Sequence, residues 1–144
     1  MLDIPCPIAF DFLVRDGKLE MTTMMRSQSV AMVLPYDLML MTLLGEYVSI
    51  KIGKSLGKYT HFCVSAHIYE DEIDLSKKIV KESPLSVNLM PQMEEADFFP
   101  EILSKIAIIE ENKRSCTNRG IISFQSPFWN YLGKIFGWQV DQKV

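Results

Sequence analysis

Basic residues are in short supply in this chain. Lysine and arginine number 15 against 18 acidic residues, for a net charge of −3. The isoelectric point falls near 5.4, and no cluster is denser than Lys77-Lys78 or Lys113-Arg114. A nucleic-acid surface needs a basic patch, so that partner class is excluded. Long apolar runs are missing as well. Val30 to Leu34 stops at Pro35, and Leu38 to Met41 follows only after Asp37. Neither can span a bilayer, so no membrane association is expected. The first residues show no basic stretch leading into an apolar one, so no signal peptide is expected. Cysteine is scarce and odd in number: Cys6, Cys63 and Cys116, without metal-ligand spacing. That pattern argues against a disulfide framework and against a zinc site, and it suits a reducing cytoplasm. Internal repeats and low-complexity tracts are absent too.

What remains is a 144-residue chain with 48% hydrophobic content. That is enough for a sizeable core, and one globular domain over residues 1–144 is expected. Ile8 to Val14 alternates bulky apolar residues with others. Arg15-Asp16-Gly17-Lys18 is a two-residue hairpin signal, because Asp-Gly suits the positive φ angles of a type I′ turn. Leu19 to Met25 runs back. A two-residue turn pairs Ile8 with Met25, Phe10 with Thr23, Phe12 with Met21 and Val14 with Leu19, which makes one mostly apolar face. The same register sets Cys6 opposite Ser27, with Arg26 one residue away. Strict alternation points Arg26 to the other face unless a β-bulge re-aims it.

Pro35 suits a helix start. Tyr36 to Ile52 is apolar nearly all round, the pattern of a buried helix, and Gly53 can end it. Gly57 to Tyr69 reads as one strand. Tyr59, His61, Cys63, Ser65 and His67 share one parity; Phe62, Val64, Ala66 and Ile68 form the apolar one. Asp74 to Lys81 and Ile102 to Glu110 read as helices, Leu85 to Met90 and Gly120 to Phe124 as strands, and Glu94 to Pro100 as an acidic loop. The tail carries Phe128, Trp129, Tyr131, Phe136 and Trp138. Strands and helices mix without βαβ alternation, so the expected class is α+β, a mixed sheet with an N-terminal hairpin, a long buried helix and further short helices.

The residues with chemistry are individually ordinary. Cys6 between two prolines is either a small buried apolar side chain or a nucleophile whose thiolate a nearby arginine would favour. Arg26-Ser27 is either a surface strand end or a fork and hydroxyl suited to phosphate. Asp37 is a helix-start acid, well placed on the helix dipole, or a hydrogen-bonding partner for a nucleobase edge. His67 and Tyr69 are strand residues, or two polar tips for a sugar hydroxyl.

Their joint order is more specific. Pro5-Cys6, Val14-Arg15-Asp16-Gly17-Lys18-Leu19, Arg26-Ser27, Leu34-Pro35-Tyr36 and Ala66-His67-Ile68-Tyr69 resemble the thymidylate synthase superfamily, with all intervening separations matched without a gap. The resemblance covers the first half of the chain and fades after Leu75. It implies that Cys6 adds to C6 of a pyrimidine nucleoside monophosphate. C5 then attacks a one-carbon unit supplied by methylenetetrahydrofolate. It also implies that Arg26 and Ser27 bind the phosphate, with Arg26 facing the thiolate, and that His67 and Tyr69 hold the sugar 3′-hydroxyl. A homodimer is implied, with the Phe/Met-rich hairpin offering the sheet face.

The departures from the family pattern are equally legible. Thymidylate synthases carry Asn at the position of Asp37, and cytidylate hydroxymethylases carry Asp, which tilts the expected base toward cytosine. The acid that contacts the folate ring is Ser29 here, the glycine before Leu-Pro is Val33, and the acid two residues before the histidine is Ser65. The family's long segment before the Pro-Cys motif has only Met1 to Ile4 as counterpart. The expectation is therefore either an excised catalytic portion or a truncated relative, with a non-catalytic nucleotide-binding or dimerisation domain as the alternative function.

Overall fold

The computed structural model describes residues 4–82, 89–98, 100–115, 124 and 126–135. Contacts divide the chain into two compact units, Met1–Ser86 and Val87–Val144.

The first unit begins with the expected hairpin, β1 (Pro7–Arg15) and β2 (Lys18–Met25). Asp16 and Gly17 take φ angles of +48° and +76°, as a type I′ turn requires. Phe10 faces Thr23, Phe12 faces Met21 and Val14 faces Leu19, as predicted. The register then slips: Ala9 faces Met24 and Pro7 faces Met25, leaving Ile8 as the extra residue. The predicted pairs of Ile8 with Met25 and Cys6 with Ser27 do not form. Proline has no N–H for the ladder and is tolerated at bulges on edge strands, which is where Pro7 lies.

The third strand of this sheet, β4 (Ser55–Cys63), lies parallel to β2 on its other side. It does not run on to Tyr69 as predicted. Val64 donates a last bond to the Met25 carbonyl at 2.9 Å, and the chain then leaves the sheet. A second, two-stranded sheet pairs β3 (Gln28–Ser29) with β5 (Ala66–His67), again in parallel. Gln28 N–H donates to Ser65 and Val30 N–H to His67, both at 2.9 Å. The break follows from β2, which ends at Met25; beyond it the neighbouring backbone has to find a new partner.

Between β3 and β4 runs α1 (Leu34–Lys51), with Pro35 in its first turn and Gly53 at φ +63° just past its end. It buries the stripe Met41, Gly45 and Ser49. This stripe meets the sheet face carrying Leu19, Met21, Thr23 and Met25, all buried. A Cβ on Gly45 would lie 3.1 Å from the Met21 sulfur, so the glycine lets helix and sheet approach closely. Around the rest of the helix the apolar pattern is wider than the burial: Tyr36 and Leu40 are exposed. Phe62 on β4 and Val64 just past it, of the apolar parity, are exposed, while Tyr59, His61 and Cys63 are half-buried. The helix α2 (Ile73–Lys81) follows a 3-10 turn at Glu70–Glu72.

In the second unit, α3 (Pro100–Arg114) extends the predicted Ile102 to Glu110 helix at both ends. The acidic loop contains a 3-10 turn, Glu95–Phe98. The aromatic tail, unassigned from sequence, forms α4 (Pro127–Ile135). Phe128 is buried there, and Trp129 Nε1 donates to the Asp97 carbonyl at 2.9 Å. Most of the predicted strands at Leu85 to Met90 and Gly120 to Phe124, and Phe136 and Trp138, lie outside the described residues. The mixture of sheet and helix is the expected α+β class.

Candidate nucleotide site

The bulge at Ile8 shifts the pairing by one residue. Arg26, rather than Ser27, thereby stands opposite Cys6: the Arg26 N–H donates to the Cys6 carbonyl at 2.9 Å. The guanidinium folds over the same segment. Its Nη2 donates to the Ile4 carbonyl at 2.7 Å and its Nε to the Pro5 carbonyl at 3.1 Å. Arg26 thus holds the two residues preceding Cys6, and its exposed position leaves its remaining N–H groups open to an anion. Cys6 and Ser27 are half-buried beside it. The bulge thus pairs Cys6 and Arg26 through their backbones, while the guanidinium is engaged by the Ile4 and Pro5 carbonyls.

Asp37 sits half-buried in the first turn of α1. It is held by a residue that sequence reading did not single out. Gln28, only 2% exposed, donates from Nε2 to Asp37 Oδ2 at 2.8 Å. The Gln28 side-chain oxygen Oε1 lies 3.1 Å from His61 Nε2, and His61 Nδ1 lies 2.8 Å from the Tyr59 hydroxyl. These four side chains form one hydrogen-bonded chain. Burial raises the Tyr59 phenol above its ordinary value; the Thr23 hydroxyl opposes this, and the Asp37 carboxylate adds to it. Thr23 is fully buried next to this chain, opposite His61 in the sheet. The signal available in sequence was the shared parity of Tyr59 and His61 on one strand.

His67 and Tyr69 lie at the end of β5, their rings edge-to-face with centroids 4.6 Å apart. Ser29 pairs with His67 across the small sheet. Its hydroxyl donates to Glu72, 2.9 and 3.1 Å from the two carboxylate oxygens, and the Tyr69 N–H donates to the same carboxylate at 3.3 Å. Glu72, also missed from sequence, therefore ties β3 to the turn carrying Tyr69. An acid stands next to Ser29 after all, contributed by a different part of the chain. Glu72→Ala should cost about 1–2 kcal/mol by orphaning the buried Ser29 hydroxyl. A melting-temperature loss of roughly 4–15 °C is expected, and a change within the scatter of the wild type would remove this role. Among the described residues, no cluster of His, Cys, Asp and Glu could hold a metal ion, and no helix is long and apolar enough to cross a membrane.

The arrangement offers, in one unit, a cysteine paired through the backbone with an arginine, a carboxylate held by Gln28, and a His-Tyr ring pair at and just past the end of a short strand. Comparisons with known proteins bear on the family and the fold. The family model described as thymidylate synthase matches residues 1–113. The protein named "Putative thymidylate synthase" of Methanosarcina barkeri is 39% identical over 79 residues, which cover 55% of this chain and 36% of that one. The thymidylate synthase of Symbiobacterium thermophilum is 30% identical over 98 residues, 66% of this chain and 35% of that one. The chain therefore spans about a third of the length of these curated relatives. The fold is similar to that of the thermostable thymidylate synthase A from Bacillus subtilis, with a TM-score of 0.56 and 22% identity over 63% of this chain and 34% of that one. With a family match running through most of its length, this chain belongs to the thymidylate synthase family.

Proposed function

We propose that this site binds a pyrimidine nucleoside monophosphate and transfers a one-carbon unit to its C5 through a covalent Cys6 adduct. The observation that carries the reading is the backbone pairing of Cys6 with Arg26 created by the bulge, which sets the two residues opposite each other. In this reading the Cys6 thiolate adds to C6 of the base and pushes electron density to C5, which becomes the nucleophilic carbon. Arg26 and Ser27 hold the phosphate, Asp37 meets the base edge, with cytosine the expected base, and His67 and Tyr69 hold the sugar hydroxyl.

Methylenetetrahydrofolate would supply the one-carbon unit when bound. The residues present fit it to this extent: the Glu72 carboxylate, bonded to Ser29, provides the acid that Ser29 itself lacks. The reading includes a cytoplasmic homodimer. The exposed Leu13, Met24 and Phe62 favour a sheet-face partner, and the same exposure favours a second reading, a non-catalytic nucleotide-binding or dimerisation domain.

The test is a thermal-shift titration with dUMP, dCMP and CMP. A ligand present at about 100 times its dissociation constant stabilises the folded state by about 2.7 kcal/mol. The expected outcome is a concentration-dependent rise with one nucleotide, lost in Arg26→Ala. Because Arg26 also tethers Ile4 and Pro5, the ligand-induced shift is the quantity to compare, with Arg26→Lys as the charge-preserving control. No shift with any of the three would reject the nucleotide site.

A further inference from the structure

The chain Tyr59–His61–Gln28–Asp37 has a direction. With a hydroxyl at one end and a carboxylate at the other, each intervening group has to donate on one side and accept on the other. If Tyr59 donates to His61 Nδ1, the imidazole carries its proton on Nε2 and donates it to Gln28 Oε1. That orients the Gln28 amide so that its NH2 donates to Asp37 Oδ2. Each of the three links then joins a donor to an acceptor, and Asp37 stands as an acceptor only. The reversed chain requires a protonated Asp37, a turned-over Gln28 amide and the other His61 tautomer, all together. Gln28 is 2% exposed, so the amide cannot take up water as a substitute partner when it turns.

We infer that Gln28 and His61, braced by Tyr59, are positioning residues that lock the Asp37 carboxylate as an acceptor and so select a base offering an exocyclic amino group. This rests on the nucleotide reading of the site. One carboxylate oxygen is bonded to Gln28, and the acceptor capacity left over faces the base edge. A 4-amino group donates to it. A 4-keto oxygen sets acceptor against acceptor and leaves both unpaired, which costs at least about tenfold in affinity. The selectivity thus depends on residues that need not touch the base, and a carboxylate in the same place without Gln28 and His61 would discriminate less.

The experiment compares dissociation constants for dCMP and dUMP in the full chain and in the variants His61→Phe and Gln28→Leu. Histidine 15N spectra of the ligand-free proteins are recorded alongside. His61→Phe is included because Gln28 is buried and its replacement risks the fold. Wild type is expected to prefer dCMP by about tenfold or more. The ratio should collapse toward one in both variants, chiefly through weaker dCMP binding. The 15N spectrum should show His61 protonated at Nε2 and bare at Nδ1. An unchanged ratio in the folded variants, a wild-type preference for dUMP, or an Nδ1-protonated His61 would each overturn the inference while leaving the nucleotide site standing. Failure of wild type to bind either nucleotide would overturn both readings, and the spectra would then show whether the chain has the stated direction without serving a base.

Discussion

Cys6→Ser is expected to eliminate turnover, with kcat falling by about 10^4-fold or more, while nucleotide affinity changes by less than about threefold. The reason is chemical rather than architectural. A serine hydroxyl has nearly the shape of the thiol but is a far weaker nucleophile at neutral pH. The surroundings of Cys6 are held by backbone bonds that the replacement leaves intact: the Cys6 carbonyl accepts from Arg26 N–H, and the Ile4 and Pro5 carbonyls accept from the guanidinium. The expected phosphate, sugar and base contacts come from other residues. Intact-mass measurement after acid quenching, with nucleotide present, should show a covalent adduct for wild type and none for Cys6→Ser. Turnover that survives the replacement would remove Cys6 as the nucleophile. Wild type that binds nucleotide without adduct or turnover would favour the non-catalytic domain.

The largest effect on stability is expected from Gly57→Ala. A Cβ at this position would lie 2.8 Å from the Leu19 carbonyl oxygen and 3.1 Å from its carbon. Both are backbone atoms of the central strand, so no rotamer change relieves the overlap and β2 and β4 have to move apart. Leu19 is 2% exposed, so this movement also opens the core. The expected loss is about 2–4 kcal/mol, a fall in melting temperature of roughly 10–20 °C or more for a unit of this size. The ligand response should fall with it, because β4 carries Tyr59 and His61. Gly17→Ala is the control. Nothing lies within 4 Å of a Cβ there, and only the positive φ of +76° opposes it, so about 1–2 kcal/mol is expected. Equal losses at the two glycines would mean that backbone conformation, and not the β2–β4 approach, sets the requirement at Gly57.

Local patterns made the hairpin, the long helix and a set of candidate residues legible before any fold was known. Asp16-Gly17 specified its own turn because few residue pairs accept two positive φ angles in succession. Pro35 and Gly53 bounded α1 to within two residues. The family motif singled out Cys6, Arg26, Ser27, His67 and Tyr69 as candidates, and Asp37 as a departure from the pattern. The errors fell where a residue's role depends on a partner distant in sequence. Gly57 to Tyr69 has unbroken strand character, yet it divides because β2 stops at Met25 and the chain has to pair elsewhere. The single-residue slip at Ile8 leaves no mark in hydrophobic alternation, since a bulge changes register without changing composition.

Composition, turn chemistry and the motif by themselves determined the α+β class, the hairpin, the long helix and the cysteine, arginine, aspartate and histidine on which the proposed chemistry rests. These are properties of short segments, set by φ preferences and side-chain type. Only the tertiary structure decided that Arg26 rather than Ser27 faces Cys6, that Glu72 braces Ser29 and Tyr69, and that Gln28 and His61 hold Asp37. Each of those contacts joins segments separated along the chain. A hydrogen bond is decided by tenths of an ångström, which only the packed positions of both partners can supply.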